Sequence, residues 1–256
     1  LAKRKKNGIL YHVKEKNMDY IQTFFYYFLI FFAYSVIGWL VESFFVSVRS
    51  KPIRFVNRGF LIGPYCPIYG CGSLGMILYL EQYKDNVVTV FLLGVVLCSV
   101  LEYFTSYIME KLFKTRLWDY SEKKFQLNGR ICGENALLFG LGGVGIIYLV
   151  HPFLNGILNR MNEKILLILS IVLFIIFVAD TIVSLNIMNR FKKTLSNIEL
   201  KKDSTLEFKK MVSEKINEGH RIFQKRLLKA FPQIDVKPFM NFTREIKGLK
   251  GILRKK

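Results

Sequence analysis

Between two strongly apolar segments, the chain reads Asn57-Arg58-Gly59-Phe60-Leu61-Ile62-Gly63-Pro64-Tyr65-Cys66-Pro67-Ile68-Tyr69-Gly70. Such a density of Gly, Pro, Asn, Arg and Tyr is unusual for a plain loop, and Gly and Pro both disfavour an uninterrupted helix. A second dense stretch runs from Trp118-Asp119-Tyr120 to Asn128-Gly129-Arg130. The sequence on either side of these two stretches determines the environment in which they lie.

The composition places the chain in a membrane. Its 256 residues are 52% hydrophobic and 22% charged, with a mean hydropathy of +0.27. These values are compatible because the apolar runs lie between about residues 20 and 190, whereas residues 191–256 are mostly polar and charged. A helix needs roughly 20 apolar residues to cross about 30 Å of hydrocarbon. The sequence therefore predicts an all-α, polytopic transmembrane helix bundle with a basic helical tail.

Five spans are predicted, and they lie at about residues 22–46, 64–81, 87–109, 133–150 and 165–188. The second span is short and rich in Gly, so a broken pass or a re-entrant loop with four full spans remains an alternative. The predicted transmembrane domain covers residues 18–190, and the predicted tail covers residues 191–256. Residues 1–17 are basic, lack the apolar core of a signal peptide and precede Met18, so we interpret them as an over-extended or non-native start.

The distribution of Lys and Arg predicts the orientation. The first and third loops and the tail are rich in these residues, whereas the second and fourth loops hold few of them. By the positive-inside rule, the first and third loops and the C-terminus are expected in the cytoplasm and the N-terminus outside. The net charge of +19 lies in loops and in the tail beside apolar spans. This placement favours anionic lipid headgroups as the partner over nucleic acid.

The tail is predicted to contain two amphipathic helices. Ser204 followed by Glu207 is a capping-box pattern, and apolar residues then recur at helical spacing up to Phe231. A second segment, residues 239–253, has one apolar face and several Lys and Arg elsewhere, which is typical of a helix on an anionic membrane surface. For residues 204–231, pairing with another chain remains an equal alternative.

Four acidic residues lie inside or at the edges of the predicted spans: Glu42, Glu102, Glu134 and Asp180. A charge in hydrocarbon costs on the order of 2.5–3.5 kcal/mol on insertion scales, so it is kept mainly where it is paired or lines a cavity. All four are predicted within about 15 Å of the cytoplasmic surface, beneath the loops that carry Arg58, Arg116 and Arg130. They could form a binding pocket, or only ion pairs that hold loops onto helix ends.

Further polar residues extend this predicted layer. Glu102, Ser106 and Glu110 share one helix face, because they are spaced by four residues. The candidate substrate- or ion-binding residues are Glu42, Asn57, Arg58, Tyr65, Tyr69, Glu102, Tyr103, Glu110, Trp118, Asp119, Tyr120, Asn128, Arg130, Glu134 and Asp180. The small residues of the third and fourth spans indicate close helix packing.

Several chemistries find no support in the sequence. It has no phosphate-binding loop, no nucleophile elbow and no zinc-binding His pair, and its four cysteines form no C-x-x-C pattern. His151 is predicted to lie at the end of a span, before Pro152. The sequence therefore predicts no cofactor and no metal site, and it assigns no catalytic residue.

The chain resembles a known family at several motifs. Gly38-Trp39 with Glu42, Asn57-Arg58-Gly59-Phe60-Leu61, Gly63-Pro64, Cys66-Pro67-Ile68-Tyr69-Gly70, Leu101-Glu102-Tyr103 with Glu110, Trp118-Asp119-Tyr120-Ser121 and Asn128-Gly129-Arg130-Ile131 are similar to the ABC-transporter permease family of CmpB type. The resemblance covers about residues 24–155. It implies a small multi-pass protein of the bacterial plasma membrane that acts in transport with a separate ATPase subunit. The chain departs from ABC importers in lacking the E-A-A…G helix that contacts such an ATPase.

The leading hypothesis is the membrane component of a transport system. Its cytoplasm-facing polar site is expected to comprise Glu42, Arg58, Glu102, Asp119 and Arg130, with the carboxylates paired to the arginines. One alternative is an intramembrane enzyme acting on a lipid or lipid-linked substrate, with Glu42 or Glu102 as general acid or base. Another is a membrane scaffold or regulatory protein whose basic tail engages a partner.

Overall fold

The computed structural model describes residues 20–49, 55, 57–114, 116–196, 223, 226 and 230. The predictions for residues 1–17 and 239–253, and for most of residues 204–231, lie outside this part of the chain. In chain order the elements are α1 (Tyr20–Arg49), α2 (Pro67–Leu80), a 3-10 turn (Glu81–Tyr83), α3 (Val87–Phe113), β1 (Gln126–Leu127), β2 (Ile131–Cys132), α4 (Gly133–Gly145), a π-helical turn (Ile146–Val150), α5 (His151–Arg160) and α6 (Glu163–Ser196).

Four helical stretches of the described chain are long and apolar enough to cross a membrane. They are Tyr20–Val48, Val87–Phe113, Gly133–Arg160 and Glu163–Lys193. These stretches coincide with the first, third, fourth and fifth predicted spans. The predicted α-helical membrane bundle is therefore confirmed.

The second predicted span contains a shorter helix. At 14 residues, α2 is about 21 Å long, which is less than the hydrocarbon thickness. The irregular segment of residues 57–66 precedes α2 and runs along α1, where Arg58 N donates to Ser43 Oγ and Cys66 N donates to Ser35 O. After α2, the chain emerges at the opposite end of the bundle, where Tyr148 Oη donates to the backbone oxygen of Lys84. The second pass is therefore broken: half of it is irregular and half is helical.

The fourth span is longer than the sequence indicates. We predicted its end at Val150, because His151-Pro152 follows, but α4, the π-helical turn and α5 continue without a break to Arg160. Proline lacks an N–H and its ring crowds the carbonyl of the preceding turn. The wider turn at Ile146–Val150 lies where that conflict would arise, so the helix accommodates Pro152. His151 therefore lies inside the continuous helix, where its side chain is buried in the bundle, and not at the end of a span as predicted.

Small residues allow close approach at two helix contacts. A Cβ at Gly38 of α1 would overlap the Tyr69 side chain of α2, and one at Gly70 would lie 2.5 Å from the Phe31 carbonyl oxygen of α1. Between α3 and α4, a Cβ at Gly94 would lie 3.6 Å from the Cα of Gly140. These positions agree with the close packing predicted from the small residues of the third and fourth spans.

Apolar packing joins the remaining helices. Ile30, Met76, Ile77 and Val90 are almost fully buried in a cluster shared by α1, α2 and α3. On the other side of α1, the Phe28 ring packs edge-on against Phe174 of α6, with ring centroids 5.1 Å apart. Helix α6 is thereby fixed along α1, and its polar residue Asp180 is brought next to the irregular segment.

The two loops of interest lie at one end of the bundle. Lys192 near the end of α6 donates to the Leu112 backbone oxygen at the end of α3, 3.0 Å away. The same end holds residues 57–59 beside the last turns of α1 and the β1–β2 hairpin beside the last turns of α3. We call it the hairpin end. At the opposite end, Tyr26 Oη donates to Asn155 Oδ1, 2.8 Å away.

Candidate functional site

The irregular segment is anchored to α1 at its beginning. Asn57 Oδ1 accepts hydrogen bonds from Trp39 Nε1 at 2.9 Å and from Gly59 N at 3.0 Å. The Arg58 Nη2 atom lies 3.6 Å from Glu42 Oε1, and both side chains are partly exposed. The Gly38-Trp39 and Asn57-Arg58-Gly59 motifs therefore form one structural unit, in which an amide and an ion pair hold the segment beside α1.

Asp180 of α6 holds the middle of the segment. Its carboxylate accepts four hydrogen bonds, from Ile62 N at 3.0 Å, Gly63 N at 2.7 Å, Tyr65 Oη at 2.5 Å and Ser184 Oγ at 2.8 Å. Backbone amides at membrane depth have no water to bond to and must find acceptors within the protein. Asp180 supplies acceptors for two of them. Four hydrogen-bond donors therefore hold this acid, and it forms no ion pair with the loop arginines Arg58, Arg116 or Arg130 that were expected above the acidic layer.

Arg226, which the sequence reasoning did not select, bonds to the same segment from the other side. Its Nη2 donates to the backbone oxygens of Phe60 at 3.1 Å and Leu61 at 2.6 Å, and it also interacts electrostatically with Asp180. Arg58 Nη1 in turn donates to the Ala230 backbone oxygen. Positions 226 and 230 of the tail, both helical, therefore lie against the irregular segment at the hairpin end.

A second cluster fastens the hairpin to α3. Glu110 Oε2 accepts from Arg116 Nε at 2.5 Å and lies 2.7 Å from Arg130 Nη2. The guanidinium of Arg130 is buried, donates to Ser106 Oγ at 3.3 Å and lies over the rings of Tyr103 and Tyr107, at 5.6 and 5.5 Å from the centroids. Arg130 therefore pairs with Glu110, one helical turn beyond Ser106. Glu102, which was predicted to belong to the same polar site as Arg130, forms no ion pair among the described residues.

The hairpin turn has the residues that its geometry requires. Asn128 and Gly129 both have positive φ, and Arg130 N donates to the Leu127 backbone oxygen, as in the type I′ turns that favour Asn-Gly. A Cβ at position 129 would lie 2.5 Å from Asp119 Oδ1. Asp119 itself accepts from Ser121 N and Ser121 Oγ, so it shapes the start of the hairpin.

Two further hydrogen bonds orient the hairpin. Trp118 Nε1 donates to the Arg130 backbone oxygen at 3.0 Å, and Asn128 Nδ2 donates to Tyr103 Oη at 3.0 Å. Glu134 forms a 2.8 Å ion pair with Lys123, but both side chains are more than half exposed. An exposed pair of this kind contributes at most about 1 kcal/mol.

Glu102 lies deeper, at the centre of a third cluster. It is 6% exposed, and its Oε1 accepts from Tyr120 Oη at 3.1 Å, while Tyr120 Oη accepts from Asn135 Nδ2 at 2.8 Å. Tyr69 of α2 interacts electrostatically with Glu102, Tyr120 and Glu42. Burial and the Glu102 carboxylate raise the pKa of Tyr120 well above its usual value, so the hydroxyl keeps its proton and acts as the donor.

The structure thus brings the candidate residues together at one end of the bundle, in three separate clusters. The first is Asp180 with the irregular segment, the second is Glu110 with two arginines, and the third is Glu102 with Tyr120. In the first cluster both oxygens of Asp180 accept two hydrogen bonds each, and in the second cluster two arginines contact Glu110 Oε2. Such contacts suit a structural role. In the third, Glu102 Oε2 has no hydrogen-bond partner within the described residues. This carboxylate has free capacity for a ligand.

Sequence reasoning also missed Arg226, Ser184 and Asn135. Ser184 lies one helical turn after Asp180 and could have been selected, because its hydroxyl is on the same helix face as that acid. Arg226 belongs to the amphipathic tail pattern, where Arg is expected to face lipid headgroups. Asn135 follows Glu134 at the start of a span and could have been selected, since an amide entering an apolar run needs partners.

Comparison with known proteins gives one result. A scan against protein families matches the family described as "Putative ABC-transporter type IV" (ABC_trans_CmpB) over residues 29–185. No curated protein and no solved structure matches the chain significantly. The matched region includes most of α1, all of α2 to α5, most of α6, the irregular segment and the hairpin. Because the match covers more than half of the chain, this membrane protein belongs to that ABC-transporter-related family.

Proposed function

We propose that the protein is the permease-like membrane component of a transport system, and that the polar residues at its hairpin end form a cytoplasm-facing site for a substrate or coupled ion. The observation that carries the proposal is the broken second pass. Irregular backbone at membrane depth is tolerated where protein groups satisfy it, and secondary transporters place binding sites at such interruptions. Asp180 and Tyr65 hold this interruption in place. At the same end of the bundle, Glu102 is the acid with an oxygen that has no hydrogen-bond partner among the described residues, so it is the candidate to contact the substrate or ion.

The distribution of basic residues supports the orientation. The loops at the hairpin end contain Arg58, Arg116, Lys123, Lys124 and Arg130, whereas the two turns at the opposite end contain Lys84, Arg160 and Lys164. Under the positive-inside rule this asymmetry favours a cytoplasmic hairpin end. Since the sequence contains no phosphate-binding loop, ATP hydrolysis would come from a separate subunit docked at that end.

Cysteine labelling tests the orientation. Lys124→Cys lies on the exposed hairpin, and Asp85→Cys lies on the exposed turn at the other end. A membrane-impermeant thiol reagent applied to intact cells is expected to label Asp85→Cys but to label Lys124→Cys only after permeabilisation. The unmodified protein, with its four native cysteines, gives the background. The opposite labelling pattern would overturn the orientation.

Purification tests the transport role. The full chain, isolated in mild detergent from cells that naturally produce it, is expected to carry an ATPase whose activity changes when the two are separated. Deletion of the gene is expected to leave lipid composition unchanged. Altered lipid species in the deletion strain, without any associated ATPase, would instead identify an enzyme acting on lipids and overturn the proposal.

A further inference from the structure

Glu102 is the buried acid whose charge the described surroundings do not neutralise. It is 6% exposed on α3, and no Lys or Arg among the described residues forms an ion pair with it. Glu42, Asp180, Glu110 and Glu134 all have cations or several donors nearby. A charge left in the bilayer without a partner costs on the order of 2.5–3.5 kcal/mol even on insertion scales. Glu102 therefore requires a positive ligand.

The groups that face Glu102 come from every element around it. They are Glu42 on α1, Tyr69 on α2, Cys98 on α3 itself, Tyr120 on the hairpin and Asn135 on α4. None of these is a cation, and Glu42 adds a like charge. The described surroundings therefore provide no positive side chain that could pair with Glu102.

The hydrogen-bond directions select the oxygen that takes the ligand. Tyr120 Oη accepts from Asn135 Nδ2, so its own proton points to Glu102 Oε1, 3.1 Å away. Glu102 Oε2 is buried and has no partner among the described residues. A metal ion would need several free acceptors, and the described residues contain no group of three or more His, Cys, Asp and Glu that could hold one. One oxygen with one free position suits a proton.

We propose that Glu102 is a proton-binding site, which takes up and releases a proton on Oε2. The site rests on the proposed transport function and deepens it, since a proton bound at Glu102 would serve as the coupled ion. The proton state itself can be measured whether or not the protein transports anything.

The test uses dicyclohexylcarbodiimide, a reagent that modifies protonated carboxyl groups in apolar surroundings. Purified full-length protein is treated at near-neutral and at alkaline pH, and the peptides are analysed by mass spectrometry. The expected result is an adduct on Glu102 that is lost at alkaline pH. Glu134, which is exposed and paired with Lys123, is the internal control and is expected to remain unmodified.

A spectroscopic measurement complements the labelling. The infrared band of a protonated carboxyl group is expected in the unmodified protein and in Glu134→Gln, and its loss is expected in Glu102→Gln. Because Gln matches the shape of a protonated Glu, Glu102→Gln is expected to retain its thermal stability. Absence of both the adduct and the band would overturn the proposal, as would loss of the band when Na⁺ replaces K⁺ at constant pH. Failure of the ATPase experiment with a positive labelling result would reject the transport role and leave the proton site standing.

Discussion

The hydrogen bonds around Asp180 predict that this residue holds the irregular segment in the membrane. Replacing it by Ala would remove the acceptor of two backbone amides, Ile62 N and Gly63 N. A buried donor without an acceptor costs about 1–3 kcal/mol, so the two amides together give a loss of about 2–6 kcal/mol. The hydroxyls of Tyr65 and Ser184 can rotate to other acceptors and are left out of this estimate.

The effect is expected first as local opening of residues 57–66. Amide hydrogen exchange measures such opening directly, because the exchange rate follows the free energy of the local fluctuation. A loss of 2 kcal/mol corresponds to an increase of roughly 30-fold in the exchange rate. Exchange followed by mass spectrometry in detergent would compare peptides from this segment with peptides from α3, which should change little.

Two further variants make the experiment decisive. Asp180→Asn keeps one acceptor oxygen, so its increase in exchange is expected to lie between those of the unmodified protein and Asp180→Ala. Thr181→Val is the matched control, because among the described residues the Thr181 hydroxyl bonds only to the Phe177 backbone oxygen of its own helix. Unchanged exchange of the segment in folded Asp180→Ala would refute the reasoning, since the amides would then have other acceptors.

Two other predictions concern packing and the hairpin. Gly70→Ala places a methyl group 2.5 Å from the Phe31 carbonyl oxygen, so the unfolding temperature of this variant should fall by several degrees. Gly145→Ala is the control: its methyl group meets no atom within 4 Å, so it should not lower the unfolding temperature. Glu110→Gln weakens two charged hydrogen bonds worth roughly 1.5–3 kcal/mol each, so the amide hydrogen-exchange rate of the hairpin should rise at least about tenfold. Glu134→Gln, which breaks only the exposed pair with Lys123, should change that rate by less than about fivefold. Equal effects of either substitution and its control would contradict the corresponding contact.

The spans could be predicted from sequence because run length and hydropathy suffice to recognise a membrane helix. The broken second pass was foreseen as an alternative, since Gly and Pro interrupt a segment too short to cross. The continuation of the fourth span through Pro152 was not foreseen. A proline marks a strained backbone, but whether a π-helical turn absorbs that strain depends on packing that the local sequence does not encode.

The candidate residues were predictable as a group, but their pairing was not. Spacing places Glu102 and Glu110 on one face of α3 but does not tell which of them a loop arginine reaches. Asp180 bonds to backbone amides 117 and 118 residues away. Nearly every residue has a backbone amide, so the sequence does not indicate which of them bonds to a side chain. The contact of Arg226 with the irregular segment was not predicted, because a cation on an amphipathic helix is expected at a lipid surface. In the structure Arg226 bonds instead to backbone oxygens of the same chain.

The irregular segment is stable only as part of a larger assembly of elements. Its amides at positions 62 and 63 bond to the carboxylate of α6, and its carbonyls at positions 60 and 61 bond to the guanidinium of Arg226. Loss of either charged group would remove the partners of these backbone groups. A displacement of α6 or of residue 226 is therefore expected to disturb the segment, which the bond from Cys66 N to Ser35 O connects to α1. Hydrogen bonds, together with the electrostatic attraction between Arg226 and Asp180, thus link position 226 of the tail to the broken pass.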